Sequence, residues 1–541
     1  MMLYYSIFLS ALFVAMVSVS TLMRWAPRWK LIDLPDARKV HAGVVPRIGG
    51  IGMVLGTVTA IAIWLGVREE LRVFLAGILI IAAFGVWDDK ADLNYKTKFF
   101  GQLLAIVVVV WHGDLLIARL SFTGHESLPI WAALPLTVFF LLGTTNAMNL
   151  SDGLDGLAGG VSLLSLVCIL ALATLSDAGE VVAVVLAIGG AIVGFLRYNT
   201  HPATVFMGDA GSQFLGFTLG VLAVWLTQKA NTALAPELPL LILGLPIVDT
   251  LTVMTQRLRR GASPFKPDKT HFHHKLLALR FDHYETVLVI YVIQAAFVVS
   301  AYLFRYESGW SILGVFCALG VAMAMLPAVI IRLHWRIQAG QPKVSRLARW
   351  VYRLRELQWL NWYPYYGVAL AITVFVLAVS LAVDEFSTDV AVLLPGVLIL
   401  AVLTRFVPPA PGVAMKRLVV YTCAILMTYS LNADALVNPS HYPEQWESFF
   451  LLLGVLLAIG VRYSGKENFS LTTSDFLVIF ILLAAAYLPI FKDTRLARLA
   501  LESAVMLYGV EFVMRRTSVF ARILWYGSLL ACSIVAVRMV F

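Results

Sequence analysis

The chain has 541 residues, of which 60% are hydrophobic and only 13% charged. Soluble domains carry roughly 25% charged residues, so this composition excludes an ordinary soluble protein and points to an integral membrane protein. The formal charge of +9 fits Lys and Arg that orient helices and meet anionic lipid; it gives no reason to invoke a nucleic-acid partner.

Apolar runs predict spans at 3–23, 47–67, 71–87, 99–112, 128–145, 154–175, 181–196, 210–227, 238–255, 285–304 and 309–331. A second set follows at 364–383, 389–404, 418–432, 448–461, 473–491, 499–513 and 523–540. The runs do not alternate polar and apolar as barrel strands would. The expected fold is therefore all-α and polytopic, with about eighteen transmembrane helices. The first run lacks a basic lead and a small-residue cleavage site, so it reads as a retained helix. Cys168, Cys317, Cys423 and Cys532 lie in apolar stretches without metal-type spacing and read as buried thiols.

Basic residues concentrate in alternate loops: Arg24 to Arg47, Lys90 to Lys98, Arg257 to Lys275 and Arg332 to Arg355. By the positive-inside rule these loops are cytoplasmic and the N-terminus lies outside. The loops holding Asp88, Asp152, Asp209 and His271 all fall on that same side, as one shared site would require. Residues 336–362 are basic and polar and form the expected boundary, either an interfacial helix or a plain linker. Residues 363–541 carry about seven further spans without a comparable cluster of acids and histidines.

Four polar segments carry the chemistry. Asp88-Asp89 are adjacent carboxylates that share a site poorly unless a cation neutralises them; Mg²⁺ commonly bridges such groups to phosphates, with Lys96 and Lys98 at hand. A solvated helix cap is the plainer alternative. Asn149, Asp152 and Asp155 recur at three-residue spacing, which would put neighbouring pairs on one helix face, while Ser151 or Asp152 could instead cap a helix. Gly208-Asp209-Ala-Gly211-Ser212 places a lone carboxylate at a helix start, where backbone N–H groups favour a metal-bound phosphate. His271-Phe-His273-His274 lies in a long polar loop. Three close histidines can bind zinc, but the hard oxygen ligands elsewhere favour hydrogen bonding to a diphosphate. Together these loops suggest Mg²⁺-assisted phosphoryl transfer at a membrane face.

The order of motifs resembles that of the polyprenyl-phosphate N-acetylhexosamine-1-phosphate transferases. It comprises Asp33-Leu-Pro-Asp-Ala-Arg38-Lys39-Val-His41 with Pro46-Arg47-Ile-Gly49-Gly50, then Asp88-Asp89, Asn149-x-x-Asp152-Gly-x-Asp155-Gly, Asn199, Gly208-Asp209-x-Gly-Ser, Pro246-Ile-Val-Asp249 and His-x-His-His. The likeness covers residues 1–335. The His-x-His-His form, and Asp92 where the muramoyl-pentapeptide branch has a lysine, look more like the branch that loads N-acetylglucosamine 1-phosphate.

The resemblance implies that undecaprenyl phosphate attacks the β-phosphate of a UDP-N-acetylhexosamine, UMP leaves, and a lipid-linked glycan such as O-antigen, common antigen or a teichoic-acid linkage begins. It implies a bacterial inner-membrane enzyme with its active site facing the cytoplasm, using Mg²⁺ or Mn²⁺. Asp209 and Asp89 are then the expected metal ligands, and Asp88, Asp89 and Asp209 the catalytic acids. Asn149, Asp152 and Asp155 are expected on nucleotide or sugar, and Asn199, His271, His273 and His274 near the diphosphate. Lys98 and Arg47 are expected on phosphate. For residues 363–541 the expectation is a partner of the glycan pathway or support of a homodimer. Two other readings compete: a transporter, whose ionisable groups would sit near mid-membrane, and a scaffold whose polar loops only cap helices.

Overall fold

The computed structural model describes residues 2–33, 43–66, 68–123, 127–176, 178–261, 270–332, 358–384, 386–406, 409–437, 444–463, 494–514 and 519–540. The described residues are almost wholly helical and fall into two compact units, the first within Leu3–Arg336 and the second from the helices after it.

In the first unit the helices are α1 (Met2–Leu22), α2 (Ala26–Trp29), α3 (Gly49–Trp64), α4 (Glu69–Ala91), α5 (Tyr95–His112), α6 (Ile130–Ser151) and α7 (Leu157–Thr174). They continue with α8 (Gly179–Asn199), α9 (Gly208–Trp225), α10 (Pro239–Ile242), α11 (Gly244–Arg259), α12 (Phe272–Ala278), α13 (His283–Leu303) and α14 (Gly309–Arg332). A two-residue ribbon pairs β1 (Ile32–Asp33) with β2 (Val45–Pro46), antiparallel.

The centre is α9, which is enclosed almost along its whole length. Small residues let its neighbours approach. A Cβ at Gly85 of α4 would fall 2.4 Å from the Ala210 Cα, and one at Gly50 of α3 would fall 2.2 Å from the Gly211 nitrogen. Backbones this close let the first turn of α9 sit directly against α3 and α4, which fixes where Asp209 stands. A buried amide network adds direction to the packing: Gln102 of α5 donates to Gln213 of α9 at 3.0 Å, and Asn146 of α6 donates to Gln102 at 2.8 Å.

The expectation of about eighteen spans is corrected. Ten helices among the described residues are long and apolar enough to cross a membrane. Gly49–Trp64 and Thr388–Leu403 are helices of only 16 residues, short of the ~20 residues a bilayer core needs. The run at 238–255 is divided at Leu243 into α10 and α11, with Pro239 and Pro246 withholding backbone donors. The run at 473–491 and the greater part of the expected boundary 336–362 lie outside the described residues.

The second unit contains the helices Gln358–Ala382, Thr388–Leu403, Pro409–Val437, Glu444–Tyr463, Thr494–Met514 and Val519–Val540. Acids that are scattered in its sequence find polar partners here. Tyr429 donates to Asp389, Tyr421 donates to Glu511, and Asn432 donates to Glu502 at 2.8 Å.

Candidate active site

The site forms where α4 ends and α9 begins. Asp88 and Asp89 occupy the last turn of α4 and both are buried. Acids at a helix C-terminus oppose the helix dipole, so neither serves as a cap of α4 itself. Each has a specific partner. Asp88 Oδ1 accepts the Leu93 N–H at 2.8 Å, and Asp88 Oδ2 lies 2.6 Å from Lys98 Nζ. The same ammonium stands 3.6 Å from Asp209 Oδ2, so Lys98 joins α4 to α9. Asn94 caps α5 by accepting the Thr97 N–H, which sets the helix turn that delivers Lys98.

Asp89 is placed differently from its neighbour. Its two oxygens accept the N–H groups of Asp209 at 2.8 Å and Ala210 at 3.1 Å. It therefore caps α9 from another helix, in the manner of an N-cap carboxylate. Gly208 makes this possible: its φ is +69°, and a Cβ there would lie 2.5 Å from Asp89 Oδ2. Asp209 is left with its own carboxylate turned to side chains, accepting from Asn149 Nδ2 at 2.9 Å.

The expected helical face of Asn149, Asp152 and Asp155 is corrected. Helix α6 stops at Ser151, and Gly156 at φ +78° precedes α7, so Asp152 and Asp155 lie in a turn. Neither Ser151 nor Asp152 caps α7; the Ser151 hydroxyl donates to the Ala147 carbonyl at 2.8 Å inside α6. Burial, then the Asp209 and Asp155 charges, push the Asp152 carboxyl up to about 7 against the opposing pull of Arg47.

Asp155 enters a clasp that the sequence reading did not include. Its Oδ2 meets His201 Nδ1 at 2.7 Å and the Ala203 N–H at 3.0 Å. The His283 ring stacks on His201 at 3.9 Å and reaches the Asp155 carbonyl with Nε2 at 3.1 Å. These two imidazoles and the carboxylate also form a donor set close enough to hold a metal ion. The sequence signal was slight: one histidine before Pro202 and one after the capping residue Asp282.

Asn199 is spent on structure. Its Oδ1 accepts the Gly156 N–H and its Nδ2 donates to the Val205 carbonyl, each at 2.9 Å. Arg47 pairs with Asp33 at the end of the β-ribbon. The backbone beyond it is stitched to the approach to α9, with the Gly49 N–H on Phe206 O at 3.0 Å and the Gly50 N–H on Met207 O at 2.9 Å. Arg38 and Lys39 lie outside the described residues.

The histidine segment joins the same site. The Gly153 position, beside Asp152, faces the His273 ring so closely that a Cβ would fall 2.3 Å from Nε2. That nitrogen is buried and has no hydrogen-bond partner among the described residues. Burial, reinforced by the His274 charge, lowers His273 to about 3 and keeps it neutral. Asp249 of α11 receives His271 Nδ1 at 2.9 Å and the Phe272 N–H at 2.8 Å. All four polar segments thus converge on one place, and His274 sits against His273 at 4.2 Å.

The residues fit a hard divalent cation. Asp88 and Asp209 face one ammonium, and Asp152 adds a third carboxyl whose ionisation is opposed by burial and by Asp209. Oxygen donors in excess of local cations are the donor set for Mg²⁺ or Mn²⁺. Asp88 and Asp209 are the carboxylates that face the shared ammonium, whereas both Asp89 oxygens face the N–H groups of α9.

Comparison with known proteins gives the family of the chain. The model of the family described as "Glycosyl transferase family 4" matches residues 71–227, from α4 through α9. A "Probable undecaprenyl-phosphate N-acetylglucosaminyl 1-phosphate transferase" of Bacillus subtilis is 34% identical over 325 residues, 60% of this chain and 90% of that protein. A "Decaprenyl-phosphate N-acetylglucosaminephosphotransferase" of Mycolicibacterium smegmatis is 35% identical over 301 residues, 49% of this chain and 73% of its own length. The "Undecaprenyl-phosphate alpha-N-acetylglucosaminyl 1-phosphate transferase" of Escherichia coli K12 is 28% identical over 325 residues, 59% of this chain and 88% of that protein.

Proposed function

We propose, for a chain that belongs to glycosyl transferase family 4 with the polyprenyl-phosphate N-acetylglucosamine-1-phosphate transferases, that it moves N-acetylglucosamine 1-phosphate from UDP-N-acetylglucosamine to undecaprenyl phosphate. The observation that carries the reading is the convergence of Asp88 and Asp209 on Lys98 at the ends of apolar helices. A lipid phosphate arrives along the membrane and a nucleotide sugar from water, and a polar site at helix ends is where the two can meet.

In the reaction a lipid phosphate oxygen attacks the sugar-bearing phosphorus of the nucleotide. The new P–O bond forms as the diphosphate P–O bond breaks, and UMP leaves with the electron pair. A phosphate monoester is already ionised near neutral pH, so no strong base is needed. Mg²⁺ or Mn²⁺ held by Asp209 and Asp88 would neutralise charge on the phosphates. Lys98 supplies a fixed positive charge between the two carboxylates. Asp89 holds Asp209 in place through the backbone of α9. Asn149 orients the Asp209 carboxylate, and Asp152 and Asp155 offer carboxyls to the nucleotide sugar. The His271 to His274 segment faces the diphosphate, where fixed donors stabilise developing charge without reorganisation.

The proposed setting is the cytoplasmic face of a bacterial inner membrane, where this step would start a cell-surface glycan. The transferase core is proposed as 1–335. Residues 363–541 are assigned to contact with a partner of the glycan pathway or to a homodimer, because the transferase motifs all lie in the first unit.

The test is transfer of label from UDP-N-acetylglucosamine to undecaprenyl phosphate by the purified full chain, with Mg²⁺ or with chelator. Metal-dependent lipid product with released UMP supports the reading. Product only from another UDP-N-acetyl sugar would keep the chemistry and change the pathway. Silence with every such sugar would overturn the transferase assignment.

A further inference from the structure

The contact between α11 and the histidine segment goes beyond what the family comparison supplies. His271 is the residue just before α12, in extended conformation, and its own side chain makes no capping bond. The start of α12 is served instead by Asp249, whose Oδ1 accepts the Phe272 N–H at 2.8 Å. The other oxygen of the same carboxylate meets His271 Nδ1 at 2.9 Å. Both side chains are buried. One acid therefore fixes the backbone and the ring of the same residue pair.

The chemistry of that contact is selective. A carboxylate only accepts, so Nδ1 must carry a proton, and Nε2 becomes the ring atom that varies. No hydrogen bond among the described residues uses His271 Nε2. The His271 ring also lies nearly parallel to that of His273, with an interplanar angle of 11° and centroids 6.0 Å apart. His273 in turn abuts Gly153, next to Asp152. The orientation of His271 is thus tied to the turn proposed to meet the nucleotide sugar.

Resting on the transferase reading above, we infer that Asp249 is a positioning residue for that reaction: it holds His271 as the Nδ1–H tautomer so that Nε2 is the atom offered to the diphosphate. This is a buried acid acting on a ring, as outer partners of functional histidines do. It explains why a carboxylate is kept at an apolar helix interface where a neutral residue would cost less.

Asp249→Asn separates orientation from folding. The amide oxygen can still accept the Phe272 N–H and keep α12 docked. The amide nitrogen, a donor, faces His271 Nδ1 and forces the proton to Nε2. The expected result is a fall in kcat of about 100-fold, with KM for UDP-N-acetylglucosamine within about threefold of wild type. Asp249→Glu, which restores a charged acceptor, should recover at least about tenfold of that loss. Adding Asp249→Asn to a His271→Ala protein should change kcat by less than about twofold, since the group it positions is already gone.

Asp249→Asn with wild-type kcat, or with a loss in KM alone, overturns the inference; so does failure of both Asp249 variants to fold, which would make the acid a folding element. A wild-type chain with no transferase activity would sink the reading of function instead. In that event the ¹⁵N shifts of the His271 ring decide this inference: Nδ1–H in wild type and Nε2–H in D249N support it, and the same tautomer in both refutes it.

Discussion

Asp89→Asn tests whether the second acid of the Asp88-Asp89 pair is a brace or a metal ligand. In the structure its oxygens hold the N–H groups of Asp209 and Ala210 at 2.8 and 3.1 Å. Hydrogen bonds to a charged acceptor contribute roughly 1.5–3 kcal/mol each. Asparagine keeps one of them and turns an NH₂ against the other N–H. It also removes a negative charge from the N-terminus of α9, worth about 0.5 kcal/mol, while relieving the repulsion between Asp89 and Asp209. The expected loss is about 3 kcal/mol, seen as a melting temperature lower by roughly 5 °C. The assay is thermal unfolding of the purified chain in detergent, followed by tryptophan fluorescence, without nucleotide or metal. Asp209→Asn is the control. Among the described residues the Asp209 carboxylate meets side chains alone, those of Asn149, Lys98 and Asp88, so that variant should lose transfer and metal binding while melting within about 2 °C of wild type. If Asp89→Asn melts like wild type yet abolishes metal binding, Asp89 is a ligand and the bracing argument is wrong.

Other expectations follow from the same contacts. Lys98→Met leaves the buried Asp88 carboxylate without its counter-charge and should cost about 3 kcal/mol of stability, together with nearly all transfer; Lys98→Arg should keep the fold, and a stable, active Met variant would refute the role given to Lys98. In the metal-free protein, Asp152 titrates near 7 instead of 3.8, so the folded state holds an extra proton between those values and its stability falls as pH rises through them. His273 titrates near 3 instead of 6.5, so the folded state lacks a proton there and its stability falls as pH drops. The two slopes oppose each other between pH 3.8 and 6.5. Asp152→Asn should therefore make the protein more acid-sensitive and His273→Gln less so, as read by denaturation at stepped pH; identical profiles would contradict both assignments. Gly153→Ala should impair transfer without replacing any polar group, because its Cβ would fall 2.3 Å from His273 Nε2; full activity would show that the His273 contact is dispensable.

Much of this was legible in the sequence. The composition and the long apolar runs announced a helical membrane protein, and the four polar segments do meet in one place. What periodicity could not show was the direction of each side chain. Asn149, Asp152 and Asp155 have helical spacing, but the chain leaves the helix at Ser151, and only Gly156 at positive φ marks where it restarts. Asp88 and Asp89 are adjacent and chemically identical, yet one faces Lys98 and the other the N-terminus of α9. Asn199 and Arg47 belong to motifs of the family and stand close to the site, but their polar atoms close the turn at Gly156 and the ribbon at Asp33. Part of the excess in the span count has a simpler reason. Hydropathy registers an apolar run but not its length as a helix, and the segments at 49–64 and 388–403 form helices too short to cross unaided.

The charge balance of the site explains why its parts depend on one another. Arg47 is engaged by Asp33, so among the described residues the fixed cation between Asp88 and Asp209 is Lys98. Acids crowded around one ammonium would repel phosphate, which is the opposite of what a phosphoryl-transfer site needs. The arrangement becomes productive only when a divalent cation adds positive charge between carboxylates and phosphates. Substrate affinity should then depend on metal as strongly as turnover does. UMP, lacking both sugar and lipid, is the simplest probe: it should bind the metal-loaded chain and fail to bind the chelated one. UMP bound equally well in both would mean that backbone donors and the histidine segment hold the phosphate unaided, and that the carboxylates act later in the reaction.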